Sequence, residues 1–162
     1  MAKYTHILVA IDLLPEDDEP VAEHAMDIAR STDARVSLVH VIEFKNYTIP
    51  HATLEISTEW KEESEKIAKN KLRTLGKKLG IPAQDQLLYV GNTKDMILTA
   101  ADKMGVDLVV VGSHGRHGLS LLLLGSTANS VLHGAKCDVL AVNVNAANRI
   151  SGAKKELATA TK

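Results

Sequence analysis

The chain has 162 residues, enough for one domain with a sizeable core, and 45% of them are hydrophobic, which excludes a disordered or collagen-like polypeptide. Nineteen Lys and Arg against 20 Asp and Glu give a formal net charge of −1, without the dominant basic stripe of a duplex-DNA reader. Aromatics at 3% leave few stacking platforms for single strands, so no nucleic-acid partner is expected.

The first element in chain order is the short apolar run 6–11 (HILVAI), which ends at Asp12. It is too short for a signal peptide and reads as a buried first strand. Runs of the same type recur at 36–42, 87–90, 107–111 and 138–144. Runs this apolar suggest strands covered on both faces, as in a parallel sheet.

Helical spacing fills the intervals. Residues 20–30 carry a broad apolar stripe through Val21, Ala22, Ala25, Met26, Ile28 and Ala29. Residues 57–79 place Trp60, Ile67, Leu72, Leu75 and Leu79 on one face, and Gly80 followed by Pro82 stops that helix. A third helix spans 93–104, with Asn92 or Thr93 as N-cap and Gly105 as stop, and 126–134 reads as a short last helix. Residues 43–57 contain Pro50 and lack helical spacing; they read as a long loop, either a lid near the site or a plain surface excursion.

The strand–helix alternation implies an α/β fold, a three-layer, doubly wound, five-stranded parallel sheet of Rossmann-like type. One domain is expected over 1–145, with 146–162 a frayed extension or a short surface helix. In such sheets ligands bind beyond the carboxyl ends of the strands, where strand order reverses, which singles out the turns after Ile11, Val41 and Val111. No segment approaches the roughly 20 apolar residues of a membrane span. Cys137 is the single cysteine, so no internal disulfide can form; it reads as a small buried residue in a reducing compartment. A cytoplasmic protein without a membrane partner or a structural zinc site is expected.

The fourth strand runs into Gly112-Ser113-His114-Gly115, and Gly125-Ser126-Thr127 open the last helix. Gly112 and Gly115 would let the backbone take positive φ and approach a ligand closely. Gly125 would expose amide N–H groups at a helix N-terminus, where unsatisfied donors and the helix dipole favour phosphate. The Ser126 and Thr127 hydroxyls add donors. Neither a G-x-x-x-x-G-K-[ST] loop nor a G-x-G-x-x-G turn after the first strand is present. From the residues alone, a phosphate cradle and a long connection whose glycines merely turn corners stand even.

Gly112-x2-Gly115-x9-Gly125-Ser126 matches the G-2x-G-9x-G-[ST] nucleotide-binding signature of the universal stress protein family, and HILVAIDLLPE and VSLVHVIE resemble its first two strands. The resemblance covers roughly residues 4–144 and implies the Rossmann-like fold of that family and its adenine nucleotide alpha hydrolase-like relatives. It implies ATP, or ADP or AMP, with Mg2+ as the ligand, and a homodimer formed through the last strand, 138–144. By position, Ala10 and Val41 would border the adenine, and Val111 and Gly112 the base and ribose. Asp12 would accept from the ribose hydroxyls and help hold the cation, unless it caps a helix. Gly115, Gly125, Ser126 and Thr127 would hold the phosphates. Arg116 would add charge there or face solvent, and His114 would contribute its backbone or a positive charge.

Two departures from the family pattern stand out. Leu13-Leu14 follow Asp12 where a small Gly or Ser is frequent, which leaves capping of the first helix to Asp17 or Asp18. Leu121 stands where the motif loop often has a basic residue. The reading is a nucleotide-binding stress-response module. Its alternatives are a slow ATP-hydrolysing enzyme, for which no dedicated base stands at a convincing spacing, and a ligand-free dimeric interaction protein.

Overall fold

The computed structural model describes residues 4–44, 47–49, 52–54, 57–113 and 124–144. In chain order these form β1 (His6–Ala10), α1 (Pro15–Thr32), β2 (Arg35–Ile42), β3 (Tyr47–Ile49), β4 (Ala52–Leu54), α2 (Thr58–Leu79), β5 (Gln86–Val90), α3 (Thr93–Met104), β6 (Leu108–Gly112), α4 (Ser126–Gly134) and β7 (Asp138–Val142). Five strands make a parallel sheet in the order β5-β2-β1-β6-β7.

Alternation along the strands divides the core into two aliphatic layers. Ile7, Val9, Leu38 and Val110 face α1 and α2, meeting Val21, Ala25, Ala29, Ala68 and Leu72. Leu8, Val39, Val109 and Val111 face α3 and α4, meeting Ile97, Ala100, Ala101, Ala128 and Val131. This is the expected three-layer, doubly wound arrangement.

The stop signals act as their chemistry requires. Gly80 and Gly105 both adopt left-handed conformations, at φ 70° and 62°, and donate back to the last carbonyls of α2 and α3. Asn92 caps α3 by accepting from the Asp95 N–H at 3.2 Å, and Ser57 caps α2 by accepting from Trp60.

Three local expectations are corrected. Helix α1 starts at Pro15, five residues before the apolar stripe, because Pro at the first helical position fits its fixed φ. Its N-cap is Leu14 without a side-chain bond, so neither Asp17 nor Asp18 caps it. On α2 the buried residues are Ala68, Leu72 and Gly76, while Trp60 and Ile67 are 57% and 48% exposed. Small residues let the helix approach the sheet, so the largest apolar side chains do not mark its inner face. Within 43–57, β3 and β4 pair antiparallel in a two-stranded hairpin rather than an irregular loop.

The amino-terminal end of the sheet is closed by polar contacts. Asp107 accepts from the Thr5 N–H at 2.8 Å and the His6 N–H at 3.1 Å, and Arg35 Nε donates to the buried Asp85 carboxylate at 2.8 Å. Ser37, fully buried, bridges His6 Nε2 at 2.8 Å and Asp85 at 3.4 Å. Cys137 is half-buried, and desolvation pushes its thiol pKa up, the state of an unreactive cysteine. The extension from 146 onward lies outside the described residues.

The corrected face of α2 gives a direct contrast. Leu72→Ala should cost about 2–4 kcal/mol in urea unfolding, because Leu72 is 2% exposed. Ile67→Ala should cost less than about 1 kcal/mol; equal losses would show that Ile67 is buried.

Candidate adenine-nucleotide site

Strand order reverses at β1, whose neighbours β2 and β6 lead to opposite sides of the sheet. The crevice at the carboxyl ends of these three strands brings together Ala10, Asp12, Val41, Val111, Gly112 and Thr127.

One wall is the turn from β1 into α1. Ile11 continues the parallel pairing by donating to the Val39 carbonyl at 3.0 Å, and its own carbonyl meets His40 Nδ1 at 2.8 Å. Asp12 follows, exposed at the crevice, and Leu13 then takes φ 61°, a left-handed conformation that costs a leucine roughly 1–2 kcal/mol. A glycine at position 13 would meet the same backbone demand without strain. Asp18, 4% exposed on α1, reaches back and accepts from the Asp12 N–H at 2.8 Å. Desolvation pushes the Asp18 pKa up to about 6. The N–H groups of Asp12 and Leu14 oppose that rise, and the neighbouring Asp12 and Asp17 carboxylates add to it.

The opposite wall is the end of β6 with the start of α4. Ser113 donates to the Val142 carbonyl at 2.8 Å, and Gly125 donates to the Ser113 carbonyl at 2.7 Å. The chain therefore leaves and re-enters at adjacent points, and the second of these is the N-terminus of α4. No acidic residue occupies the first turn of α4, and its N-cap Gly125 has no side chain to satisfy the first N–H groups. Such a terminus is a ready anion site.

Gly112 departs from expectation. It lies in extended strand without positive φ, and a Cβ there would meet Val144 and Val21 at 3.5 Å, an ordinary contact. Neither backbone conformation nor protein packing demands glycine. Gly125, at φ −55°, likewise does without a positive φ. Gly125 and the exposed Ser126 start α4 but do not line the crevice itself. His114, Gly115 and Arg116 lie outside the described residues. Asp17, Asp18, Val39 and Thr93 also line the crevice, though motif reasoning did not select them.

A family model described as the universal stress protein family matches residues 3–143. The chain belongs to this family. Universal stress protein A homolog 2 of Coxiella burnetii is 43% identical over 148 residues, covering 89% of this chain and 98% of that protein. Universal stress protein C of Salmonella typhimurium is 33% identical, covering 86% of this chain and 95% of the relative. Among solved structures, the universal stress protein UspA from Lactobacillus plantarum superposes with a TM-score of 0.70 at 23% identity, covering 88% of this chain and all of that one. A universal stress protein in complex with cAMP superposes with a TM-score of 0.64 at 21% identity, covering 88% of this chain and 99% of the other. That from Archaeoglobus fulgidus in complex with dAMP gives 0.58 at 23%, covering 88% and 100%. These likenesses establish the shared fold.

Asp18 yields a pH prediction for this universal stress protein. Its folded pKa, about 6, lies above the 3.8 of an ordinary aspartate, so the folded state holds the proton more tightly. Its contribution to stability is therefore fully present below about pH 4 and is lost as pH rises through 6. Asp18→Asn should be more stable than the wild type by on the order of 1–3 kcal/mol at pH 7.5. The advantage should shrink toward zero near pH 4 in urea unfolding; a difference independent of pH would contradict the assignment.

Proposed function

We propose that this universal stress protein binds an adenine nucleotide in the crevice at the β1/β6 reversal and serves as a regulatory module in stress response. ATP with Mg2+ is the first candidate, with ADP and AMP alongside it. One observation carries the reading: the bare N-terminus of α4 is tied to the end of β6 by the 2.7 Å Gly125–Ser113 bond, across the crevice from Asp12. The apolar floor of Ala10, Val41 and Val111 suits a flat base, Asp12 suits ribose hydroxyls, and the α4 terminus with Thr127 suits phosphates. Gly112, free of any conformational demand, fits a position where a ligand passes close to the backbone. The cAMP and dAMP complexes of proteins with this fold support the choice of an adenine ligand.

Charge favours a cation with the phosphates. The charged side chains lining the described part of the crevice are Asp12, Asp17 and Asp18, all acidic. Among the described residues no group of three or more His, Cys, Asp and Glu is arranged to hold a metal alone. Mg2+ is ordinarily held by one or two carboxylates together with phosphate oxygens, a role open to Asp12. Bound there, it would neutralise phosphate charge against the acidic wall.

Binding is favoured over turnover, because hydrolysis needs a positioned water and a stabiliser of developing charge. Asp12 and Arg116 are the candidates for those roles, and no dedicated base accompanies them. The nucleotide-binding branch of the family is proposed on the strength of Gly112, Gly115, Gly125 and Ser126. The described residues include no helix long and apolar enough to cross a membrane, which fits the proposed cytoplasmic setting.

Mass spectrometry of the purified protein should find a copurifying adenine nucleotide, and calorimetry with Mg2+ should detect ATP binding. Asp12→Asn and Gly115→Val should each weaken binding at least about tenfold, with Tm shifts below about 2 °C. A wild type that binds none of ATP, ADP or AMP would favour a ligand-free interaction protein. Phosphate release faster than about 1 per second would favour an enzyme.

The proposed assembly is a homodimer through 138–144. β7 ends the sheet, with Val139 and Leu140 only partly covered, and an open strand edge invites pairing. Light scattering at micromolar concentration should give twice the chain mass; a monomer mass would contradict the assembly.

A further inference from the structure

Asp18 is expensive where it stands. It is a 4%-exposed carboxyl in the first turns of α1, and it neither caps that helix nor forms an ion pair with a described residue. Burying such a group costs free energy unless specific hydrogen bonds repay it. The hydrogen bond it makes reaches back to one short segment, accepting from the Asp12 N–H at 2.8 Å. Next to that amide lies Leu13, at φ 61°. Unfavourable left-handed backbone in a leucine persists only where its surroundings over-determine it. Here the determinants are the Asp18 carboxyl on one side and the buried Leu13 side chain, 7% exposed in the α1–α2 core layer, on the other.

We propose that Asp18 is the positioning residue of the site: by gripping the Asp12 amide it fixes the strained β1–α1 turn and presents Asp12 to the ligand. The inference rests on the adenine-nucleotide reading and deepens it. Asp18 acts through Asp12, and its value lies in the backbone geometry it imposes. It also accounts for Leu at position 13: a glycine would relax the turn, whereas the carboxyl grip lets this chain keep an apolar side chain there for packing.

The experiment compares Asp18→Ala, Asp18→Asn and a core control, Val109→Ala, by ATP calorimetry at 25 °C with Mg2+. Melting temperature and amide hydrogen exchange are measured on each. The Asn side chain keeps one carbonyl acceptor for the turn, and Ala keeps none. Asp18→Ala should weaken ATP binding at least about tenfold, the loss of about one well-placed hydrogen bond to a charged group. Its Asp12 amide should lose its protection. Asp18→Asn should restore affinity to within about threefold of the wild type. Val109→Ala removes part of a fully buried side chain outside the crevice, so it should lower Tm yet leave affinity unchanged.

Equal affinity of Asp18→Ala and the wild type would overturn the proposal. So would a loss matched by Val109→Ala, which would reduce Asp18 to a stability role. If the wild type binds no adenine nucleotide, the functional reading fails, and exchange decides the turn by itself. An Asp12 amide protected in the wild type and released in Asp18→Ala would uphold Asp18 as its anchor. Unchanged exchange would overturn that as well.

Discussion

Strand β1 is hydrogen-bonded along both edges, to β2 and to β6, and is covered on both faces, so that Ile7, Leu8 and Val9 are all fully buried. Every other part of the molecule is arranged around that strand. Its two neighbours lead to opposite halves of the sheet, and the helices after them diverge, α2 to one face and α4 to the other. Divergence leaves a crevice at the carboxyl end that no side chain of β1 fills. At the amino-terminal end the same strands are sealed by Asp107, Asp85, Ser37 and His6. The molecule thus has a closed end and an open one, and stability and ligand chemistry occupy opposite edges of one sheet.

The strands were legible in the sequence because burial on both faces leaves 6–11, 36–42 and 107–111 apolar except at His6, Ser37, His40 and Asp107. The helix stops were legible because Gly80 and Gly105 supply a left-handed backbone that other residues adopt at a cost. The inner face of α2 was not, since hydrophobicity draws the eye to Trp60 and Ile67, whereas close approach to the sheet selects Ala68 and Gly76. Trp60 instead meets Phe44 edge-on, with ring centroids 5.9 Å apart, at the rim. The β3–β4 hairpin escaped because strands of three residues leave too little alternation to read.

The site was legible in part. The strand-end rule pointed to the turns after Ile11, Val41 and Val111. The family resemblance supplied Ala10, Asp12, Val41, Val111, Gly112 and Thr127 as site residues, and the fold brings these six to one crevice. Asp18 was hidden inside PEDDE, a run that resembles the acidic first turn of any helix. Only the depth of burial and the contact with the Asp12 amide distinguish it from Glu16 and Asp17 beside it. The role of Gly112 also changed. A left-handed turn was the natural reading of a glycine after a strand, but Gly112 lies in extended backbone.

The central claim is that one crevice, at the reversal of strand order, holds an adenine nucleotide between Asp12 and the N-terminus of α4. A titration of 15N-labelled protein with ATP and Mg2+ tests it residue by residue. Amide shifts should concentrate at residues 10–14, 39–41, 111–113 and 125–128, with the amino-terminal ends of the strands unaffected. Saturable shifts confined to other surfaces, or none in these four segments at millimolar nucleotide, would contradict the account.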